Sequence, residues 1–153
     1  MTLLAESSVD IACPIEHAFA FAADLENFPR WFPGVIDVAS ADALPPATVG
    51  KHYREEVAMP LRGRRSVSIR VVEAAAPRHL ATEGALPLLL PRMEMAFEAR
   101  EFGGCRVTWR MSSRTTQRWA RWTILPLARR VMTRRAAIAL LRLKRHLESG
   151  QPG

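Results

Sequence analysis

The sequence predicts an α+β fold: a curved antiparallel sheet of about seven strands, two short helices after the first strand, and a long C-terminal helix across the sheet. Three observations predict it. Between residues 51 and 113 apolar side chains recur at every second position, the period of half-buried strands. Pro14 and Asp24 stand where two short helices would begin, and Pro33-Gly34 closes that region. From about residue 118 to 148 the apolar spacing becomes helical. One face of the strands is consistently apolar, and the last helix is the only long element left to cover it.

Taken in order, residues 5–12 read as the first strand, with Val9 and Ile11 alternating against Ser8 and Asp10. Pro14 suits the first position of a helix over residues 15–23, where its missing N–H costs nothing, and Glu16 suits the helix N-terminus. Asp24 caps a second short helix over residues 25–31. Strands follow over residues 35–41, 51–59, 64–74, 79–84, 92–102 and 105–113, with a turn-rich loop at 44–50 and a tight hairpin at Gly103-Gly104. In the last helix Pro126 either introduces a kink or marks the true start. No repeat or linker divides the chain, so residues 1–148 are expected to be one domain and residues 149–153 a frayed tail.

Composition narrows the class. Of 153 residues, 48% are hydrophobic and 24% charged, which is ordinary globular usage and excludes disordered and low-complexity readings. No apolar run approaches the ~20 residues of a membrane-spanning helix. The start lacks the basic and apolar stretches of a signal peptide, so the expected place is the cytoplasm, with peripheral membrane association as an extension. Cys13 and Cys105 fit no CxxC pattern and read as plain buried thiols. Charge is divided unevenly. Residues 1–104 hold ten basic and fourteen acidic side chains, whereas residues 105–153 hold twelve basic ones and a single acid, Glu148. Such a basic third fits an anionic partner or a solvated helix face.

The stretch from Ile11 to Gly34 (IACPIEHAFAFAADLENFPRWFPG), Val49-Gly50 before a strand, Val72-Glu73 leading to Pro77-Arg78, the run from Phe102 to Val107, and the final residues from Leu143 to Glu148 carry a resemblance. They resemble the SRPBCC superfamily, the START-like lipid-binding and polyketide cyclase/dehydrase-like proteins, over about residues 5–148. These motifs are structural punctuation, and they specify a fold better than a chemistry. The resemblance implies a helix-grip fold whose sheet and long helix enclose a hydrophobic cavity. Strand alternation then supplies the ligand-binding set: Tyr53, Glu55, Val57, Val67, Ile69, Val71, Met93, Met95, Phe97, Trp109 and Met111. On the last helix Leu125, Ala128, Met132, Ala136, Ala139, Leu143 and Leu147 share one face and point the same way. A second stripe, Ile124, Leu127, Val131, Ile138 and Leu141, needs its own contact: the rest of the chain, a second copy in a homodimer, or a lipid surface.

Glu55 is the one candidate catalytic residue. A carboxyl in an apolar pocket has its pKa raised and can serve as general acid or base. The competing reading pairs it with an arginine or turns it outward by a slip of one residue. None of His17, His52, His79 and His146 pairs with Cys, Asp or Glu at a ligand spacing, so no metal and no cofactor is expected. Alternate turns of a meander lie at the same end of the sheet. The loops carrying Leu61 and Leu88, Leu89 and Leu90, and the helix approach with Arg118, Trp119, Arg121 and Trp122, should therefore cluster as a portal suited to an anionic membrane. The competing reading folds the three leucines inward as a plug.

The function expected is binding and carrying, or sensing, of a hydrophobic small molecule such as a lipid, quinone or polyketide. The first alternative is a cyclase/dehydratase-like enzyme using the same cavity. The second is a basic module contacting RNA or ribosome, placed behind membrane docking because the basic residues alternate with apolar ones and no RNA-binding motif is present.

Overall fold

The computed structural model describes residues 1–59 and 63–149. Seven strands form where side chains alternate: β1 (Thr2–Ile11), β2 (Val35–Ser40), β3 (His52–Ala58), β4 (Arg64–Ala75), β5 (His79–Gly84), β6 (Pro91–Ala99) and β7 (Cys105–Ser113). They pair antiparallel in one sheet, in the order β1-β7-β6-β5-β4-β3-β2. The six later strands form a meander, and β1 joins it beside β7 with Ile11 opposite Cys105. Helix α1 (Ile15–Ala22) and a 3-10 segment (Leu25–Arg30) follow β1, and α2 (Arg118–Ser149) ends the described chain. Leu61 and residues 150–153 of the expected tail lie outside the described residues.

β1 begins at Thr2 rather than at residue 5, because the register shifts between Leu3 and Ala5 and breaks the alternation there. Leu4 and Ala5 are consecutive and both buried, a pattern that period-two reading cannot follow. Pro14 is the N-cap of α1 in extended conformation, one position earlier than expected. Its carbonyl accepts from the amides of His17 and Ala18 at 3.1 and 3.0 Å. Asp24 caps the next segment through its side chain, which accepts from the Glu26 amide at 3.2 Å. The expected two-residue hairpin at Gly103-Gly104 is a wider turn. β6 stops at Ala99, Phe102 takes φ 61° at the turn, and the Arg100 amide closes it on the Gly104 carbonyl at 2.8 Å. α2 runs unbroken through Pro126, which faces solvent and leaves the Trp122 carbonyl without its helical partner.

The core lies at one end of the sheet. There the second half of α2 packs mainly along β1 through Ala136, Ala139, Leu143 and Leu147. The two alanines allow the helix close to the strand. α1 seals the adjoining region, with Phe19 edge-on to Phe97 at 5.2 Å. Cys13 and Cys105 are buried free thiols in this region, and burial pushes the Cys105 thiol up to about 12. The β2–β3 connection holds a buried lysine that sequence reading passed over. The Lys51 Nζ donates to Asp42 at 3.1 Å and to the Leu44 carbonyl at 2.6 Å, and lies 4.8 Å from the centre of the Tyr53 ring.

The charge asymmetry is partly neutralised on the sheet. Arg106 and Arg110 of β7 pair with Asp10 and Glu6 of β1 at 2.8 and 2.7 Å. On α2 the exposed Arg118, Arg121, Arg129, Arg130, Arg134, Arg142 and Arg145 have no carboxylate within 4 Å among the described residues.

Candidate functional site

The first half of α2 is only partly packed: Ala120 and Leu125 are buried, but a neighbouring face of the helix meets unfilled space. A cavity of about 600 Å³ separates it from the far end of the sheet. The floor is built from the inward residues of four strands: Val57, Val67, Ile69, Met93, Trp109 and Met111. The turn region after α1 supplies Leu25, Phe28 and Phe32 as one wall. Ile124, Leu127, Ala128, Val131 and Met132 of α2 form the roof. Methionines at floor and roof give a surface that can adapt its shape.

Glu55 is the acid in this wall. It projects from β3 between Tyr53 and Val57, with Val67 opposite on β4. It is half-buried, and the surface it keeps is cavity surface. No hydrogen bond or ion pair reaches its carboxyl among the described residues. With nothing to compensate the charge, burial alone pushes the group up to about 7. At neutral pH it can therefore donate or accept a proton.

Further polar groups border the space. Trp109 is fully buried, packs on Phe32 at 4.8 Å between ring centres, and keeps an indole N–H with no partner. Arg135 enters from α2, and its Nη2 donates to the Ala58 carbonyl at 3.2 Å. Arg64, which leans on Glu56 at 3.4 Å, and the exposed Arg65 border the same end.

The cavity opens where three segments meet. Met59 and Gly63 come from the β3–β4 turn, Leu86 to Leu89 from the β5–β6 loop, and Ile124 and Leu127 from α2. The β5–β6 loop is fastened at its base: Ser113 Oγ donates to the Leu89 carbonyl, and the Arg114 amide donates to the Leu90 carbonyl at 3.0 Å. Leu88 and Leu90 both take positive φ, 71° and 45°. A wider surface groove of about 890 Å³ lies between the β1–α1 and β6–β7 turns. Two of its charges are matched locally, Asp10 with Arg106 at 2.8 Å and Lys144 with Glu148 at 2.6 Å.

Residues 2–148 match the family model described as "Polyketide cyclase / dehydrase and lipid transport". The chain belongs to this family. No curated protein matches the chain. Among solved structures, protein TTHA0849 from Thermus thermophilus superposes with a TM-score of 0.72 at 14% identity, covering 97% of this chain and 99% of that one. DR_A0006 from Deinococcus radiodurans gives 0.66 at 20% identity, covering 96% and 98%. The di-domain ARO/CYC protein StfQ of the steffimycin biosynthetic pathway gives 0.71 at 12% identity, covering 97% of this chain and 51% of that one. These likenesses show the helix-grip fold of the polyketide cyclase family.

Within that family fold, the expected site residues divide. Glu55, Val57, Val67, Ile69, Met93, Trp109, Met111 and Met132 border the cavity. Tyr53, Val71, Met95, Phe97 and Leu125 do not: they are buried in the packed interior. Tyr53 makes no hydrogen bond through its hydroxyl, and burial pushes it up to about 12. Both stripes of the helix reach the cavity: Ala128 and Met132 of the expected face line it together with Ile124, Leu127 and Val131 of the second stripe, whereas Ala136, Ala139, Leu143 and Leu147 pack in the core. Both stripes are apolar, so their spacing could not say which residues meet empty space. Leu88 and Leu89 line the mouth and Leu90 does not. Arg118, Trp119, Arg121 and Trp122 are exposed and lie off the cavity wall, Trp119 at 52% and Trp122 at 85% exposure. Sequence reading missed Arg135, Thr82 and the Phe28–Phe32 wall. Arg134, Arg135, Arg142 and Arg145 all interleave with the apolar second stripe, so the pattern did not single out Arg135.

Among the described residues no group of three or more His, Cys, Asp or Glu lies together as a metal-holding cluster. Nor is any helix there long and apolar enough to cross a membrane.

Proposed function

We propose that this family member binds and carries, or senses, a hydrophobic small molecule of the lipid, quinone or polyketide kind in the α2–sheet cavity. The observation that supports this reading most is the cavity itself, with apolar walls and a few convergent polar groups in the size range of small-molecule sites. Apolar burial supplies the affinity, at roughly 25 cal/mol per Å². Glu55 in its neutral form orients a ligand oxygen. Native mass spectrometry of freshly purified protein, with solvent extraction of the same sample, tests it. The expected result is a stoichiometric mass increment that extraction identifies as an apolar compound, and a clean apo mass counts against a resident ligand.

Exchange of such a ligand calls for a docking surface, and the mouth fits an anionic membrane. Exposed Trp119, Trp122, Leu127 and Leu88 supply apolar anchors beside the unpaired arginines of α2. Sedimentation with phosphatidylglycerol vesicles is expected, and with phosphatidylcholine vesicles much less. Replacing Leu88, Leu89 and Leu90 by Ser should cut the anionic binding several-fold; unchanged binding removes the portal.

A second reading, an enzyme of the cyclase/dehydratase kind, has one observation in its favour. Glu55 is poised near neutrality in an apolar pocket, where general acid–base chemistry works best. That reading requires Glu55→Gln to abolish turnover while binding changes little.

A further inference from the structure

Arg135 brings to the cavity wall a charge with no counter-charge beside it among the described residues. Arg135 borders the cavity as a half-buried residue, and among the described residues its side chain makes one hydrogen bond, to the Ala58 carbonyl at 3.2 Å. No carboxylate lies within 4 Å of it among the described residues. A guanidinium has five N–H donors and stays charged in proteins. Taking it partly out of water costs free energy unless an acceptor answers it.

The backbone makes room for this group. Gly34 has φ +87°, and a Cβ built there would collide with the Arg135 guanidinium at Nη1. Any other residue at 34 would push the guanidinium away, so its place is shaped from below. The surroundings add positive charge. Arg64 and Arg65 border the same cavity and stand opposite Ala58 and Val57 on the neighbouring strand. Arg65 also lacks a carboxylate within 4 Å among the described residues. Glu55, the acid on the wall, sits three residues before Ala58, about 10 Å back along β3 at the usual strand rise.

We propose that the ligand is an amphipathic carboxylic acid, its carboxylate bound by Arg135 at the β3 end of the cavity and its apolar body lying inward over the methionine-lined floor. This rests on reading the cavity as a ligand site. A carboxylate matches the planar fork of a guanidinium with two parallel N–H donations. A chain ending in a hydroxyl offers no charge to answer Arg135; a phosphate would, and comparison with an alkyl phosphate separates the two anions.

Calorimetric titration of the whole protein at pH 7 with dodecanoate, dodecanol and dodecyl phosphate, each below its micelle concentration, tests the assignment. Dodecanoate is expected to bind on the order of tenfold more tightly than dodecanol. Arg135→Gln should bring dodecanoate down to the dodecanol affinity and leave dodecanol unchanged, while Arg135→Lys recovers part of the preference. Equal affinities of dodecanoate and dodecanol for the unaltered protein overturn the Arg135 site and leave the cavity reading standing. A preference for dodecyl phosphate over dodecanoate overturns the carboxylate. Failure of all three to bind overturns both the site and the cavity reading. The three-ligand comparison needs no variant, so the outcome does not depend on Arg135→Gln folding.

Discussion

Replacing Glu55 by Gln should raise the melting temperature at pH 8 by roughly 6–12 °C and leave it almost unchanged at pH 4.5. The unfolded chain gives up this proton near 4.5, whereas the folded chain holds it until about 7. Between those values the native state binds more protons than the unfolded state. Stability therefore falls as pH rises through that window and levels off above it. The full difference is about 3 kcal/mol, taking 1.36 kcal/mol for each pKa unit. Gln keeps the size and removes the charge, so the variant escapes this loss. Melting curves from pH 4.5 to 8 check it. A difference that does not grow with pH would show that the carboxyl is not isolated. The same variant separates the two functional readings, because a carrier gains stability and keeps its ligand, whereas an enzyme gains stability and loses turnover.

Trp109→Ala is the most damaging single change expected at the site, at about 3 kcal/mol or more of stability. The indole is wholly buried, packs on Phe32, and ties the cavity floor to the aromatic cluster of Phe28, Trp31 and Phe32. Truncation would join the cavity to a new void, and neighbours on a hydrogen-bonded sheet cannot collapse to fill it. A drop in melting temperature of at least about 6 °C is expected. Trp109→Phe keeps part of the packing but removes ring volume together with the unpaired N–H, so its melting temperature should fall between those of Trp109→Ala and the parent.

The strands were legible because alternation survives wherever one face is buried. β5 and β7 have the expected bounds, and Glu55 lies on the expected face. Alternation says which face is inward but not what covers each part of it. Tyr53, Val71, Met95 and Phe97 share the inward face with Val67 and Met93, yet packed side chains cover the first four. Which residues of α2 meet the cavity was hidden for a related reason. Its first stripe carries the alanines that small-residue logic assigns to the space beneath a helix. Ala128 does border the space, but Ala136 and Ala139 serve close packing in the core, and Ile124, Leu127 and Val131 of the second stripe border the space as well. Lys51 was illegible because its burial depends on Asp42, Leu44 and Tyr53 converging through a loop that sequence pattern does not place. The family resemblance supplied what periodicity could not, the presence of a cavity at all.

The division of labour along α2 also bears on how such a chain diversifies. Ala136, Ala139, Leu143 and Leu147 are fixed by contact on every side, so drift there is punished by unfolding. Ile124, Ala128, Val131 and Met132 border unfilled volume, where a larger or smaller side chain meets little resistance. One helix thus joins a constrained half that holds the architecture to a permissive half that sets the shape of the space. Lineages sharing this arrangement can exchange one cargo for another by substitutions in about two turns of helix, with little cost to the stability on which every intermediate must survive.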